Sequence, residues 1–176
     1  MITVQPTAPE EGSVRVTEPV RRALASQRPV VTLESSVLAQ GLPSPANREA
    51  AQRMVAAVEA AGAVAAITAV VHGVPTVGLE PEELERFLAG REPIAKLSAR
   101  EIPWAVARGI DGATTVAASL LLAYRAGVQV FATGGIGGVH RDPPFDGCKT
   151  IVPQGLGSRQ GMAVTRASGG AERGAP

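Results

Sequence analysis

The run Pro29-Val30-Val31-Thr32-Leu33-Glu34-Ser35-Ser36 sets the frame for the whole chain. Its first five residues are uncharged and mostly β-branched, the pattern of a short strand buried on both faces. The strand then stops at a carboxylate followed by two serines. Upstream, Pro19 to Ala25 reads as a short helix with proline near its first position. Residues 1–13 are polar and proline-rich, and are expected to form a flexible arm.

Downstream, residues 42–47 form a loop, and Asn47 is a plausible N-cap for an alanine-rich helix from Arg48 to Ala61 that stops at Gly62. Val64 to Val71 and Pro75 to Leu79 read as a hairpin turning at His72-Gly73. Pro81 opens a helix to Ala89, with Glu82, Glu83 and Glu85 in its first turns. A short strand follows at Ile94 to Leu97, then a helix from Pro103 to Arg108 and another from Thr114 to Gly127. Val128 to Ala132 is a last strand, feeding the glycine-rich loop Thr133-Gly-Gly-Ile-Gly-Gly. Strands alternating with helices predict an α/β fold, with a mainly parallel or mixed sheet flanked by helices. Beyond Arg141 the pattern ends. Residues 142–176 are expected to be a divergent, disordered tail, so that a sheet interrupted there would leave a strand edge open.

Composition narrows the function classes. The formal net charge is +1, which gives no field to hold a nucleic acid, and aromatics make up only 3%, too few rings to stack bases. A single cysteine, Cys148, rules out a disulfide framework or a cysteine-rich zinc cage within the chain. No stretch approaches the ~20 apolar residues of a membrane-spanning helix, and the first turns carry no signal-peptide core. The expectation is a cytoplasmic protein with a small-molecule substrate and neither nucleic acid nor membrane as partner. Of the 17 basic residues only Lys96 and Lys149 are lysines, so chemistry that needs a side-chain primary amine has two candidates.

In open α/β sheets, ligands bind beyond the carboxyl ends of strands. Glu34, Lys96 and the glycine-rich loop at 134–138 all fall near such ends, and can line one crevice. A carboxylate half-withdrawn from water there suits general acid work; the plain alternative is a structural carboxylate capping a helix or pairing with arginine. Lys96 can hold a phosphate as a point charge, or can simply be an edge lysine extending to water. Thr114 and Thr115 at a helix start offer hydroxyls and free N–H groups to an anion, although ordinary N-capping is the commoner use. The glycine-rich loop fails the dinucleotide fingerprint, because the third glycine position falls on His140. His140 is kept as a candidate at the rim.

Five blocks, LESSVLAQGLPSPAN at 33–47, GAVAAITAVVHGVPTVGL at 62–79, KLSARE at 96–101, ARGIDGATTVAASLLLA at 107–123 and VFATGGIGGVHR at 130–141, together resemble the pseudouridine-5′-phosphate glycosidase family, also called indigoidine-synthase-A-like. The resemblance covers about residues 15–141. It implies an incomplete indigoidine-synthase-A-like fold and reversible cleavage of the C–C glycosidic bond of pseudouridine 5′-phosphate to uracil and ribose 5-phosphate. It further implies that Glu34 is the general acid/base, that Lys96 contacts substrate, and that Val116, with Thr114 and Thr115, contacts it too. A divalent metal, usually Mn2+, is implied on an aspartate in a Phe-Asp-Ile-Ser-Ala-Asp segment, and a homotrimer as the assembly. The nucleophile implied is a lysine in a Cys-Ala-Gly-x-Lys segment, which forms a Schiff base with C1 of the opened sugar. The imine makes C1 an electron sink where there is no leaving oxygen to protonate.

The sequence departs from that pattern after Arg141. Phe145-Asp146 can stand for the metal pair, but Gly147-Cys148-Lys149-Thr150 replaces the rest, and no Cys-Ala-Gly-x-Lys occurs. Two readings follow. One is a glycosidase by descent, truncated or altered after residue 141. The other is a non-catalytic remnant, or an interaction partner of full-length subunits.

Overall fold

The structure, a computed structural model, describes residues 14–135 and 163–166. In chain order the elements are Arg15–Val16 (β1), Glu18–Ala25 (α1), Val30–Leu33 (β2), a π-helical turn at Val37–Gly41, Ala46–Ala60 (α2), Val64–Val71 (β3), Val74–Val77 (β4) and Pro81–Ala89 (α3). They continue with Ala95–Leu97 (β5), Ile102–Arg108 (α4), Gly112–Thr114 (β6), Val116–Arg125 (α5), Val130–Thr133 (β7) and Ala163–Arg166 (β8). The expected α/β fold is there: one mixed sheet with helices on both faces.

The sheet runs β1-β4-β3-β2-β7-β8, with β6 also on β3 and β5 on β6. β2 pairs in parallel with both β3 and β7, so the uncharged run at 30–33 is central, as its composition requires. The first half of β3 pairs with β2, and its second half pairs antiparallel with β4 and β6. Gly78 N–H bonds the Ile67 carbonyl on the β4 side, which leaves β2 and β6 to share the other edge of β3. Their directions are opposed. They therefore meet carboxyl end to carboxyl end, and this junction builds the candidate site.

One face of the sheet carries α1, α4 and α5, whose Val20, Ala23, Ile102, Ala105, Ala118 and Leu122 pack on Val30, Ala66, Val70, Val77 and Leu97. The other carries the π-helical turn, α2 and α3, with Leu38, Ala51, Val58 and Leu88 on Leu33, Ile67 and Ala132. Phe87 fills the space over Ala69, Val71 and Ala113. The helix starts follow local chemistry. Pro81 opens α3 behind a reciprocal capping box between Glu80 and Glu83. Gly90 and Gly109 end α3 and α4 in the left-handed region.

Three local expectations change. Asn47 lies inside α2 and is buried. Its amide donates to the Leu38 carbonyl (3.1 Å) and the Leu88 carbonyl (2.9 Å), tying the π-helical turn to the end of α3 instead of capping α2. Thr114 belongs to β6 and not to a helix, because tertiary pairing with β5 and β3 takes over the residues before Thr115. Within the expected tail, Ala163–Arg166 is a strand antiparallel to β7, with Ala163 opposite Thr133 and Arg166 opposite Val130. Four residues of moderate β-propensity carry no visible period of their own, and the ladder of β7 supplies the order. The edge expected to be open is therefore paired. β7 ends and β8 begins at the sheet end that carries Glu34.

Gly73, in the β3–β4 turn, gives a test of the frame. Its φ is +78°, and an added Cβ would stand 2.7 Å from Gly109 Cα and 3.0 Å from the Val106 carbonyl oxygen. Both obstacles are backbone. Gly73→Ala is expected to cost about 2–4 kcal/mol, read as a lower urea midpoint with unchanged slope.

Candidate functional site

Where β2 and β6 meet head to head, their backbone ladders on β3 cannot be continuous, and hydroxyl side chains fill the gap. Ser35 Oγ accepts from the Thr114 backbone N–H (2.9 Å) and lies 3.2 Å from Thr114 Oγ1. Thr114 Oγ1 donates to the Thr68 carbonyl (2.7 Å) and lies 2.8 Å from Thr68 Oγ1. Ser119, from α5, completes the group, its Oγ 2.9 Å from Thr68 Oγ1 and 3.1 Å from Thr114 Oγ1. All four residues are buried. The cluster locks the exit of β2 against β6 and so fixes the backbone that presents Glu34.

Glu34 itself is half-buried. Thr133, the last residue of β7, donates from Oγ1 to Glu34 Oε1 at 2.6 Å, and Ser36 Oγ donates to Oε2 at 3.2 Å. The hydrogen-bond partners of the carboxylate among the described residues are these two hydroxyls. The carboxylate is held between two hydroxyls at the carboxyl ends of two parallel strands. That is the position from which an open α/β sheet meets its ligands.

Lys96 is exposed and sits in the middle of β5 rather than past its end. Leu97 faces the α4–α5 core, so strand alternation turns Lys96 to the opposite face. It makes no hydrogen bond or ion pair with a described residue. Thr114 and Thr115 do not form the expected hydroxyl cradle. Thr114 is fully buried in the cluster above, and Thr115 Oγ1 donates to the Leu97 carbonyl (3.0 Å). Their hydroxyls are committed to holding β5, β6 and α5 together. Val116 is the first residue of α5, where helix N–H groups lack intrahelical partners. Asp146, His140, Cys148 and Lys149 lie outside the described residues.

Sequence reading missed Ser35, Thr68, Ser119 and Thr133. The signal was present as single threonines inside apolar strands, Thr68 in VAAITAVV and Thr133 ending VFAT, since a hydroxyl in such a place must find a partner.

Among the described residues no group of three His, Cys, Asp or Glu side chains is placed to hold a metal. Around Glu34 the donors are one carboxylate and hydroxyls already engaged with it, which do not fit Mn2+ on their own. The one metal ligand the resemblance implied is Asp146, outside the described residues, so no chemical step is routed through a metal here. A cleft of ≈ 400 Å³ between α2 and α3, bordered by Ala51, Val55, Leu84, Leu88 and the Arg48–Glu85 ion pair, shares no residue with the Glu34 cluster. Hydrogen bonds from Arg48 lower the Glu85 carboxyl below its ordinary pKa. The pair is exposed and contributes little to stability.

The sheet and the carboxylate at its carboxyl end define an α/β protein with a candidate site at the strand ends. Comparison with known proteins gives the family: residues 19–146 match indigoidine synthase A like protein, and the chain belongs to that family. It is 59% identical over 138 residues to a pseudouridine-5′-phosphate glycosidase of Gemmatimonas aurantiaca, covering 78% of this chain and 45% of the relative. It is 55% identical to the enzyme of the same name from Herpetosiphon aurantiacus, covering 69% and 40%. Among solved structures, the prealnumycin C-glycosynthase AlnA, in complex with ribulose 5-phosphate, superposes with TM-score 0.66 at 44% identity, covering 76% of this chain and 42% of that one. An indigoidine synthase A-like protein of Thermotoga maritima gives TM-score 0.65 at 32% identity, covering 78% and 44%. The chain thus spans less than half the length of these relatives. Among the described residues, no helix is long and apolar enough to cross a membrane.

Proposed function

We propose that the described residues form the proton-donor part of a pseudouridine 5′-phosphate glycosidase site. The observation that carries this is the Glu34 carboxylate held between Thr133 and Ser36 at the sheet's carboxyl end. The names of the glycosidase relatives and the sugar phosphate bound by the C-glycosynthase relative support the substrate class.

Breaking the C–C bond of pseudouridine 5′-phosphate returns an electron pair to the base carbon, which must then take up a proton. Glu34, as the carboxylic acid, donates it and becomes a carboxylate that accepts both neighbouring hydroxyls. In the synthetic direction the same carboxylate removes that proton. A positioned acid of this kind contributes about 10²–10⁴-fold. Lys96, exposed and without a partner among the described residues, supplies a point charge to the 5′-phosphate. The N–H groups at the start of α5, beginning with Val116, offer neutral donors to the same anion. Mn2+ and a homotrimer belong to the proposal through the family resemblance alone, and a cytoplasmic location through the sequence's want of a membrane-spanning stretch or signal-peptide core.

Titrating the chain with pseudouridine 5′-phosphate, and separately with ribose 5-phosphate, tests this by calorimetry or amide chemical shifts. Saturable binding is expected for both. Lys96→Ala should weaken it about tenfold, the size of one charge-assisted contact of about 1.5 kcal/mol. Glu34→Gln should leave ribose 5-phosphate binding within about threefold of wild type, since its role concerns the base. Failure of both ligands to shift any resonance would overturn the reading.

A further inference from the structure

A proton donor must be held in two charge states, and the group that holds it must suit both. Thr133 Oγ1 lies 2.6 Å from Glu34 Oε1, and a second acceptor, the Gly135 carbonyl oxygen, lies 3.1 Å from the same hydroxyl. The Gly135 N–H points back to Thr133 Oγ1 at 3.3 Å. Thr133 is buried, at 1% exposure, so its hydroxyl depends on these protein partners.

A hydroxyl has one proton to donate and two lone pairs to accept with. With Glu34 ionised, Thr133 donates to the carboxylate and accepts from Gly135 N–H. The shorter, charge-assisted contact takes the proton. With Glu34 protonated, the carboxylic O–H donates to Thr133 Oγ1. The Thr133 proton turns to the Gly135 carbonyl, and Oγ1 now accepts from Glu34 and from Gly135 N–H together. In this second state the one donor and both lone pairs of the hydroxyl are used. No proton leaves Thr133 in the exchange; only the direction of its hydrogen bond reverses. Among the described residues, Ser36, on the other carboxyl oxygen, has no second acceptor and does not show this arrangement.

We propose that Thr133 is a positioning residue whose hydroxyl rotor follows the protonation state of Glu34, donating to the carboxylate and switching to the Gly135 carbonyl when the acid form is present. The inference deepens the reading of Glu34 as proton donor and rests on it for its purpose, though not for its geometry. The rotor keeps Glu34 in one orientation before and after proton transfer, which a one-way donor does not.

The test is carbon-detected NMR of the 176-residue chain across a pH series. In wild type, the Gly135 carbonyl carbon is expected to shift in step with the Glu34 carboxyl carbon, and the two Hγ protons of Glu34 to stay separated throughout. Thr133→Ser keeps the hydroxyl and should keep both behaviours. Thr133→Val keeps the shape and removes the rotor, so Gly135 should lose its response and the Glu34 Hγ protons should approach one averaged shift. Glu34→Gln should abolish the Gly135 response while leaving Thr133 in place. A Gly135 carbonyl that ignores Glu34 in wild type, or follows it equally in Thr133→Val, overturns the proposal. Should Thr133→Val fail to fold, the wild-type and Thr133→Ser series still decide. A chain that shows the coupled shifts but binds neither sugar phosphate would retain the rotor and remove the functional reading, so the two failures are separable.

Discussion

Incubated with pseudouridine 5′-phosphate and Mn2+, the 176-residue chain is expected to release no uracil above the uncatalysed background. The sheet end supplies the proposed acid Glu34, and Lys96, an ammonium without a partner among the described residues, stands on the face of β5 opposite Leu97. An acid alone does not open a C–C glycosidic bond, because C1 must first become an electron sink, and an imine with a lysine is the way the family resemblance implies. No Cys-Ala-Gly-x-Lys segment occurs in the sequence. Loss of a covalent nucleophile costs on the order of 10⁶-fold in another enzyme where it has been dissected, and a similar deficit against a full-length relative is the expectation here. Uracil detection and borohydride trapping check it. Release that vanishes in Lys149→Ala would mean that Lys149 has taken the nucleophile's place; release that survives that change would point to Lys96 or to a route without an imine. Either release overturns the expectation.

How the sequence carried this far is visible element by element. Buried strands such as Val30–Leu33 and helices opened by Pro81 or closed by Gly109 were legible because their signals are local: an uncharged β-branched run, a proline at the first turn, a glycine past the last. The hairpin at 64–79 was legible for the same reason. Thr114 was not. Its propensity sits between strand and helix, and only pairing with β5 and β3, which are distant in sequence, decides for β6. Asn47 looked like a cap because caps are made locally, while its actual partners, Leu38 and Leu88, come from two other elements. Glu34 was legible as a position, since a carboxylate after a buried strand is unusual. Its clamp was not, because Thr133 lies 99 residues away in the chain. The strand at 163–166 was invisible since its order comes from β7.

The hydroxyl cluster under Glu34 should prove the most sensitive polar site in the fold, and Thr114→Val is the substitution that exposes it. Valine matches threonine in shape, so the core packing around position 114 is kept and the change isolates one oxygen. Thr114 Oγ1 donates to the Thr68 carbonyl at 2.7 Å, accepts from Ser119 Oγ at 3.1 Å and lies 2.8 Å from Thr68 Oγ1. Removing it leaves the Thr68 carbonyl without this donor and the Ser119 proton without its acceptor, while Thr68 Oγ1 still donates to Ser119 Oγ. Each buried group left without a partner costs about 1–3 kcal/mol, and Thr114 is fully buried. A loss of about 2–4 kcal/mol follows, a large part of the ~5–15 kcal/mol by which native domains are stable. Urea unfolding should show it as a lower midpoint with unchanged slope. Ser119→Ala alone should cost about 1 kcal/mol, because it takes a donor away together with the need for its acceptor. The double variant should then be more stable than the sum of the two losses, since the hydroxyl that Thr114→Val strands is itself gone. Additive losses would mean that Thr114 and Ser119 act independently, and that the junction of β2 and β6 is held by its backbone rather than by the hydroxyls between them.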